Sequence, residues 1–215
     1  MELLINWRRH PFAPPLALVA KVSACAIFLF FSLHVSAGGF QANLQGIKQL
    51  GMGYTGVGLS QDASSIFINP GGLSFLKHRH NLVIGANLVF PKVTYQEPAP
   101  GFYTASTRNT FGTPFLLYGS FRFNEKWTVG IGVNNPFGNA LEYDDGWKGQ
   151  FVIREIDLKT FSFQPTVNYR ISDKVGIGAG FSFYLGDILL RRGIPVADTA
   201  TLQYGEAKLA GSGTG

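Results

Sequence analysis

Three groups of residues have the types and spacing that could do chemistry. Gly51-Met52-Gly53-Tyr54-Thr55-Gly56 spells G-x-G-x-x-G, which cradles phosphates when it joins a parallel strand to a helix. No apolar strand precedes it and no parallel α/β pattern follows, so dinucleotide binding is not expected and no cofactor is implied. His78 and His80 share a face and carry metal-ligating nitrogens, but no third ligand is evident, so no metal is expected. A hydrolase needs a nucleophile beside a positioned base, and no histidine follows His80. No catalytic residues are assigned, and the chain does not read as an enzyme.

The chemistry must therefore lie in how the elements are arranged. Charged residues make up 14% of the 215, below the roughly 25% of ordinary soluble domains, while 27 glycines and 19 phenylalanines stand out. That composition argues against both a water-solvated globule and disorder. A net charge of +5 hints at nucleic acid, yet beyond residue 37 the only basic clusters are Lys77-His78-Arg79-His80 and Arg191-Arg192. Phosphate tracking needs a concentrated basic face, so no nucleic acid is expected as a partner.

Residues 1–37 read as a secretory signal peptide. A basic flank precedes the apolar run from Ala24 to Leu33, and Val35-Ser36-Ala37 supplies small residues for cleavage after Ala37. Lys21 interrupts the apolar stretch and leaves it short of the roughly 17 residues a helical span requires. Cys25, the one cysteine, lies inside that run, so a mature chain beginning at Gly38 has no disulfide framework and no thiol for a lipid anchor.

From Asn81 onward the period is two. Apolar faces run through Leu82 to Phe90, Phe115 to Phe123, Trp127 to Val133, Phe161 to Ile171 and Val175 to Leu185, with a weaker sixth run near Thr199 to Leu209. None of the five strong faces carries a charge, and each is about the 9 to 11 residues a tilted strand needs to cross a bilayer. Short turns at Asn124-Glu125-Lys126 and Ser172-Asp173-Lys174 alternate with long connections, and aromatic residues mark the strand ends. These are outer-membrane barrel features; a soluble sandwich alternates too but has no reason for the loop asymmetry. Six strands cannot close a barrel, so residues 81–215 are expected to be the first strands of a longer one. Arg122 and Arg170 fall on inward faces near short turns, with Asp62 as a candidate partner.

Residues 38–80 do not alternate. Gly38-Gly39-Phe40-Gln41, Gln45 to Gly56, Asp62-Ala63-Ser64-Ser65 and Asn69-Pro70-Gly71-Gly72-Leu73-Ser74-Phe75-Leu76 resemble the hatch of the outer-membrane long-chain fatty-acid and aromatic-hydrocarbon transporter family, the FadL/TodX type. Trp127 to Val133, Asn135-Pro136-Phe137-Gly138, Trp147-Lys148-Gly149, Gln164-Pro165-Thr166 and Asp173-Lys174 extend the resemblance in order to the end of the chain.

The resemblance implies an all-β protein: an antiparallel transmembrane β-barrel of roughly fourteen strands, about six of them here, with an N-terminal lumenal hatch. It implies a passive transporter in the outer membrane of a Gram-negative bacterium, monomeric when full length. Its partners would be outer-membrane lipid and a hydrophobic small-molecule ligand, with fatty acid, alkane and aromatic all open. Gly38, Gly39, Phe40, Asn69 and Pro70 would bind or gate the ligand. Asn134, Asn135, Pro136, Phe137 and Gly138 would form a lateral opening, since a proline there lacks a ladder donor; the other reading is that they begin an external loop. A structural or adhesin-like barrel and a general porin remain the rival functions, the porin disfavoured by a plug in its lumen.

Overall fold

The computed structural model describes residues 39, 41–54, 57–108, 110–195 and 204–215. The signal-peptide reading of residues 1–37, with Cys25, and the roles expected of Gly38 and Phe40 lie outside the described residues. All described residues belong to one compact unit, Gly39–Gly215.

The N-terminal segment holds α1 (Ile47–Gly51), α2 (Ser65–Ile68) and a 3-10 helix (Pro70–Phe75). Ten strands follow: β1 (His80–Ala86), β2 (Thr94–Gln96), β3 (Thr104–Ser106), β4 (Phe115–Arg122), β5 (Trp127–Asn134), β6 (Gly138–Glu142), β7 (Glu155–Arg170), β8 (Gly176–Gly180), β9 (Phe183–Ile194) and β10 (Gly205–Thr214). Eight form an antiparallel sheet in the order β1-β4-β5-β7-β9-β10, with β6 and β8 also on β7; β2 and β3 pair with each other. Among the described residues no helix is long and apolar enough to cross a membrane.

The two extra strands are continuations, and local chemistry explains both breaks. Asn134 pairs with Ser162, whereas Gly138 pairs with Lys159, so three residues of one strand face two of the other: a β-bulge at Asn135-Pro136-Phe137. The long connection expected after Asn134 is thus partly strand. The β8–β9 break keeps its register, because Thr166–Gly180 and Phe163–Phe183 continue one ladder. Phe181 N donates to Pro165 O at 3.1 Å, and Pro165 has no N–H to return the bond. The sixth strand runs Gly205–Thr214, shifted from the weak alternation near Thr199 to Leu209. Its register follows Arg191, which is opposite Lys208 and binds Glu206 at 2.6 Å.

Alternation sets the two faces. Leu82, Ile84, Phe115, Leu117, Ile131, Phe161, Phe163 and Phe183 are exposed, while Leu116, Tyr118, Ser120, Thr128, Ser162 and Asn168 on the opposite face are buried. Apolar outside and polar inside, under a covering segment, is the inverse of a soluble sheet and fits a wall in lipid. The apolar core comprises Ala63, Ile66, Leu73, Leu76, Leu116 and Tyr118, with Phe67 and Val83 against it, and joins the N-terminal segment to β1 and β4. Glycines admit that segment. A Cβ on Gly130 would stand 2.7 Å from the Ile66 side chain, and one on Gly178 2.5 Å from the Pro70 backbone.

Candidate functional site

The bulge in the wall is bonded to the start of the N-terminal segment. Ala42 N donates to Pro136 O at 2.9 Å, and Gln41 bridges to Phe137. Gln45, 2% exposed, donates from Nε2 to Ala42 O at 2.8 Å and Asn135 O at 3.3 Å, and its Oε1 accepts from Leu44 N at 3.1 Å. Asn87 Nδ2 holds Leu44 O at 3.1 Å from β1's side. The bulge's own polar groups are met from both neighbouring strands. Asn135 Oδ1 accepts from Phe115 N at 2.9 Å and its Nδ2 donates to Thr160 O at 2.7 Å. Thr160 Oγ1 accepts from Phe137 N at 3.0 Å and donates to Phe137 O at 2.7 Å. Pro136 is buried, and Asn134 Nδ2 donates to Tyr118 Oη.

The expected site residues thus fall into two places. Asn134 to Gly138 meet the Gln41–Gln45 stretch that follows Gly39. Asn69 and Pro70 lie instead at the short-turn end of β7: Asn168 Nδ2 donates to Pro70 O and Gly71 O, both at 2.9 Å, and Asn69 Nδ2 donates to Val57 O at 3.0 Å. Asn168 is six residues along β7 from Ser162, the partner of Asn134, a separation of about 20 Å at ~3.3 Å per residue.

Above the bulge the inner wall changes character. In β7 the inward positions run Asn168, Thr166, Gln164, Ser162 and Thr160, then Leu158 and Ile156, while the outward ones turn from Phe163 and Phe161 to Lys159, Asp157 and Glu155. Ile188 and Leu190 of β9 and Leu141 of β6 stand opposite Leu158 and Ile156 and share their face. Phe137 lies against Tyr184, ring centroids 5.9 Å apart. An inward apolar surface therefore begins at the bulge and continues outward. Sequence reading missed Gln45, Thr160 and this surface; its signal was the phase reversal at Glu155 to Lys159, where the apolar positions switch from odd to even.

The charged residues settle differently from expectation. Asp62 makes no bond to Arg122 or Arg170. Its Oδ1 caps the turn into α2, accepting from Ser64 N at 2.9 Å and Ser64 Oγ at 2.5 Å, and Lys48 lies 3.7 Å from Oδ2. A local Asx turn needs no long-range ordering, so it wins over a distant guanidinium. Arg122 donates to Ser74 O, in the last turn of the 3-10 helix, and to Leu76 O just beyond it, and Arg170 pairs with Asp173 at 3.0 Å. Gly53 and Tyr54, within the G-x-G-x-x-G stretch, take φ of +61° and +58° as a turn after α1. Among the described residues no three His, Cys, Asp or Glu side chains gather as a metal site.

On the long-loop side, Tyr143 stacks on Trp147 with centroids 4.1 Å apart, and Tyr95 of the β2–β3 hairpin meets the Trp147 edge at 5.9 Å. Lys148 Nζ binds Glu97 Oε1 and Oε2 at 2.9 Å, and that hydrogen bond holds the Glu97 carboxyl below its ordinary range.

Fold and facing define a strand-built wall of an outer-membrane β-barrel. The chain belongs to the family described as outer membrane protein transport protein (OMPP1/FadL/TodX), whose model matches residues 28–213. It is 33% identical over 129 residues to a 47 kDa outer membrane protein of Pasteurella multocida, covering 60% of this chain and 30% of the relative. It is 26% identical over 167 residues to a long-chain fatty acid transport protein of Salmonella typhi, covering 76% of this chain and 38% of that one. The chain thus spans about a third of the length of these relatives. The fold matches the crystal structure of a Pseudomonas aeruginosa FadL homologue with a TM-score of 0.60 at 13% identity, over 82% of this chain and 48% of that one. Its location is the outer membrane of a Gram-negative bacterium.

Proposed function

We propose that this chain supplies the hatch and first wall strands of a passive outer-membrane transporter for hydrophobic or amphipathic small molecules. The ligand enters from outside, lodges on the inward apolar surface of Ile156, Leu158, Ile188 and Leu190, and leaves sideways through the wall at Asn135-Pro136-Phe137. Residues 41–45 are the gate, since the bonds of Ala42 to Pro136 O and of Gln45 to Asn135 O must break before the bulge can part from the lumen. The observation that carries this reading is an adjacency: the N-terminal segment bridges to Phe137 of the bulge, and two residues further on Asn139 stands opposite Leu158, where the apolar surface begins. Apolar solutes gain by partitioning from the lumen into lipid, so passage down a gradient needs no cofactor and no chemistry on the ligand.

The test uses cells taking up radiolabelled oleate or toluene. Leu158→Glu, which puts a charge on the inward surface, should abolish uptake, while Lys159→Glu on the opposite face should not. Deleting Pro136 removes the extra residue of the bulge and leaves every β6–β7 pair in place; it should retain ligand binding and lose uptake. Normal uptake by either correctly assembled variant, the deletion or Leu158→Glu, overturns the corresponding step.

A further inference from the structure

The two ends of the wall carry different charge. At the short-turn end, the link into β1, the two turns and the strand ends beside them hold six Lys and Arg (Lys77, Arg79, Arg122, Lys126, Arg170 and Lys174) against two acids, Glu125 and Asp173. Asp173 is taken by Arg170, and among the described residues no carboxylate lies within 4 Å of Lys77, Arg79, Lys126 or Lys174. At the long-loop end the signs balance among the described residues, and Arg108, Arg154 and Arg191 each bind two carboxylates. Short turns face the periplasm, so the basic excess stands at the headgroups of the inner leaflet.

Arg79 is fixed at that level. Its Nε donates to Arg122 O at 3.0 Å and its Nη2 to Phe123 O at 3.3 Å, the carbonyls at the end of β4, and its Cζ lies 5.2 Å from the centroid of the Phe121 ring. Two backbone bonds and a ring beneath hold the guanidinium, while three of its five N–H groups have no partner among the described residues. Phe121 faces outward opposite His80, whose ring lies 4.9 Å from it, and Phe123 meets Phe121 edge-on at 4.9 Å. Trp127 and Tyr169, 4.8 Å apart, continue the belt across β5 and β7. Such a belt marks the boundary between membrane and water. Deeper on the same outward face Leu82, Ile84 and Leu117 are exposed.

A ligand for this surface needs an anion at Arg79 and hydrocarbon below it. We propose that the outward face of the β1–β4 end is a binding site for an anionic diacyl phospholipid of the inner leaflet. Its phosphate takes the free N–H groups of Arg79, and its chains lie along Leu82, Ile84 and Leu117. A planar guanidinium matches a phosphodiester two bonds at a time. A zwitterionic headgroup brings its own cation to a surface already in cationic excess, so phosphatidylglycerol is preferred over phosphatidylethanolamine. The inference stands apart from the transport reading, because the site is on the lipid side of the wall. It lies behind the point where the hatch is fastened: Arg122, whose carbonyl Arg79 binds, sends its own guanidinium to Ser74 O and Leu76 O.

Native mass spectrometry of the full-length protein, released from nanodiscs of equal phosphatidylglycerol and phosphatidylethanolamine, tests it. The parent should carry phosphatidylglycerol in excess. Arg79→Gln should lower the bound ratio of the two lipids about fivefold, the factor that one basic residue contributes at an anionic surface. Lys208→Gln, at the long-loop end, should leave the ratio unchanged. Phe121→Leu keeps an apolar side chain in the wall but removes the ring beneath the guanidinium, and should lower the ratio as well. Ratios are read on protein whose heat-modifiable migration shows assembly; if Arg79→Gln does not assemble, Phe121→Leu decides. Washing the nanodiscs with inorganic phosphate, against sodium chloride of equal ionic strength, should not lower the ratio, since free phosphate has no chains to lay on the wall. Displacement by inorganic phosphate would overturn the lipid assignment. A parent without excess phosphatidylglycerol, an Arg79→Gln ratio equal to the parent's, or an equal drop in Lys208→Gln would overturn the proposal.

Discussion

Gln45 concentrates three contacts in one side chain: it accepts from Leu44 N and donates to Ala42 O and Asn135 O. Tyr54 Oη adds a bond to its backbone carbonyl at 3.1 Å. A leucine fills similar volume but meets none of the polar atoms, and a buried polar group left unpaired costs about 1–3 kcal/mol. Gln45→Leu should therefore loosen residues 41–45 while the rest of the segment stays seated. Hydrogen exchange reads this directly: the Ala42 amide should lose protection and those of Ile66 and Leu76 should keep it. Unchanged protection at Ala42 would show that the Gln45 side chain holds nothing. A glutamine between Leu44 and Gly46 has no periodic pattern around it, which is why sequence gave it no special role; only the fold brings Asn135, 90 positions away, beside it.

At the scale of elements, the 3-10 helix lies on β8 with backbone nearly touching backbone. Gly178 is the tightest point, where a Cβ would stand 2.5 Å from Pro70 C and O and 2.7 Å from Gly71 N, atoms that cannot rotate away. Gly178→Val should lift the helix from Asn168 and lower stability by about 1–3 kcal/mol or more, as overpacking does. Gly213→Ala, with nothing within 4 Å, should leave the heat-induced gel shift unmoved. A Gly178→Val barrel with the parent's melting behaviour would mean the helix is not seated there. The same scale shows what sequence could and could not reveal. Facing was legible for all five strong runs, because lipid outside and a polar seam inside impose opposite hydropathy on odd and even positions. Strand length was not. From Lys159 toward Glu155 water replaces lipid, so outward residues become charged and inward Leu158 and Ile156 become apolar; the alternation persists with its sign reversed and resembles a loop. The Asn135-Pro136-Phe137 break was legible as lost pairing, but its continuation into β6 depends on Thr160 and Asn135 bonds that no local pattern encodes.

For the whole molecule, the long-loop end is joined by ion pairs between distant segments. Glu206 accepts from both Arg154 and Arg191, Arg108 pairs with Glu142 and Asp144, and Glu97 with Lys148. Glu97 titrates below its ordinary range when folded, so its contact is fully present above that range and is lost as pH falls through the lowered value. Acidification should therefore release the β2–β3 hairpin from Trp147, seen as faster protease cleavage between residues 97 and 103. Glu97→Gln should cleave fast at neutral pH and lose most of that acid dependence. An unaltered acid profile in the variant would assign the effect to another carboxylate.

One strand sets the order in which such a wall can be built. β7 has ladders with β5, β6, β8 and β9, and the shift of one residue on one side and the missing proline bond on the other are both defined against it. The β1-β4-β5 and β9-β10 groups have ladders of their own, but neither sets its register against the other until β7 pairs with both. Changes in β7 should therefore act first on the rate at which the nascent wall commits to its pairing, whereas changes at β1 or β10 act on how firmly a finished wall holds.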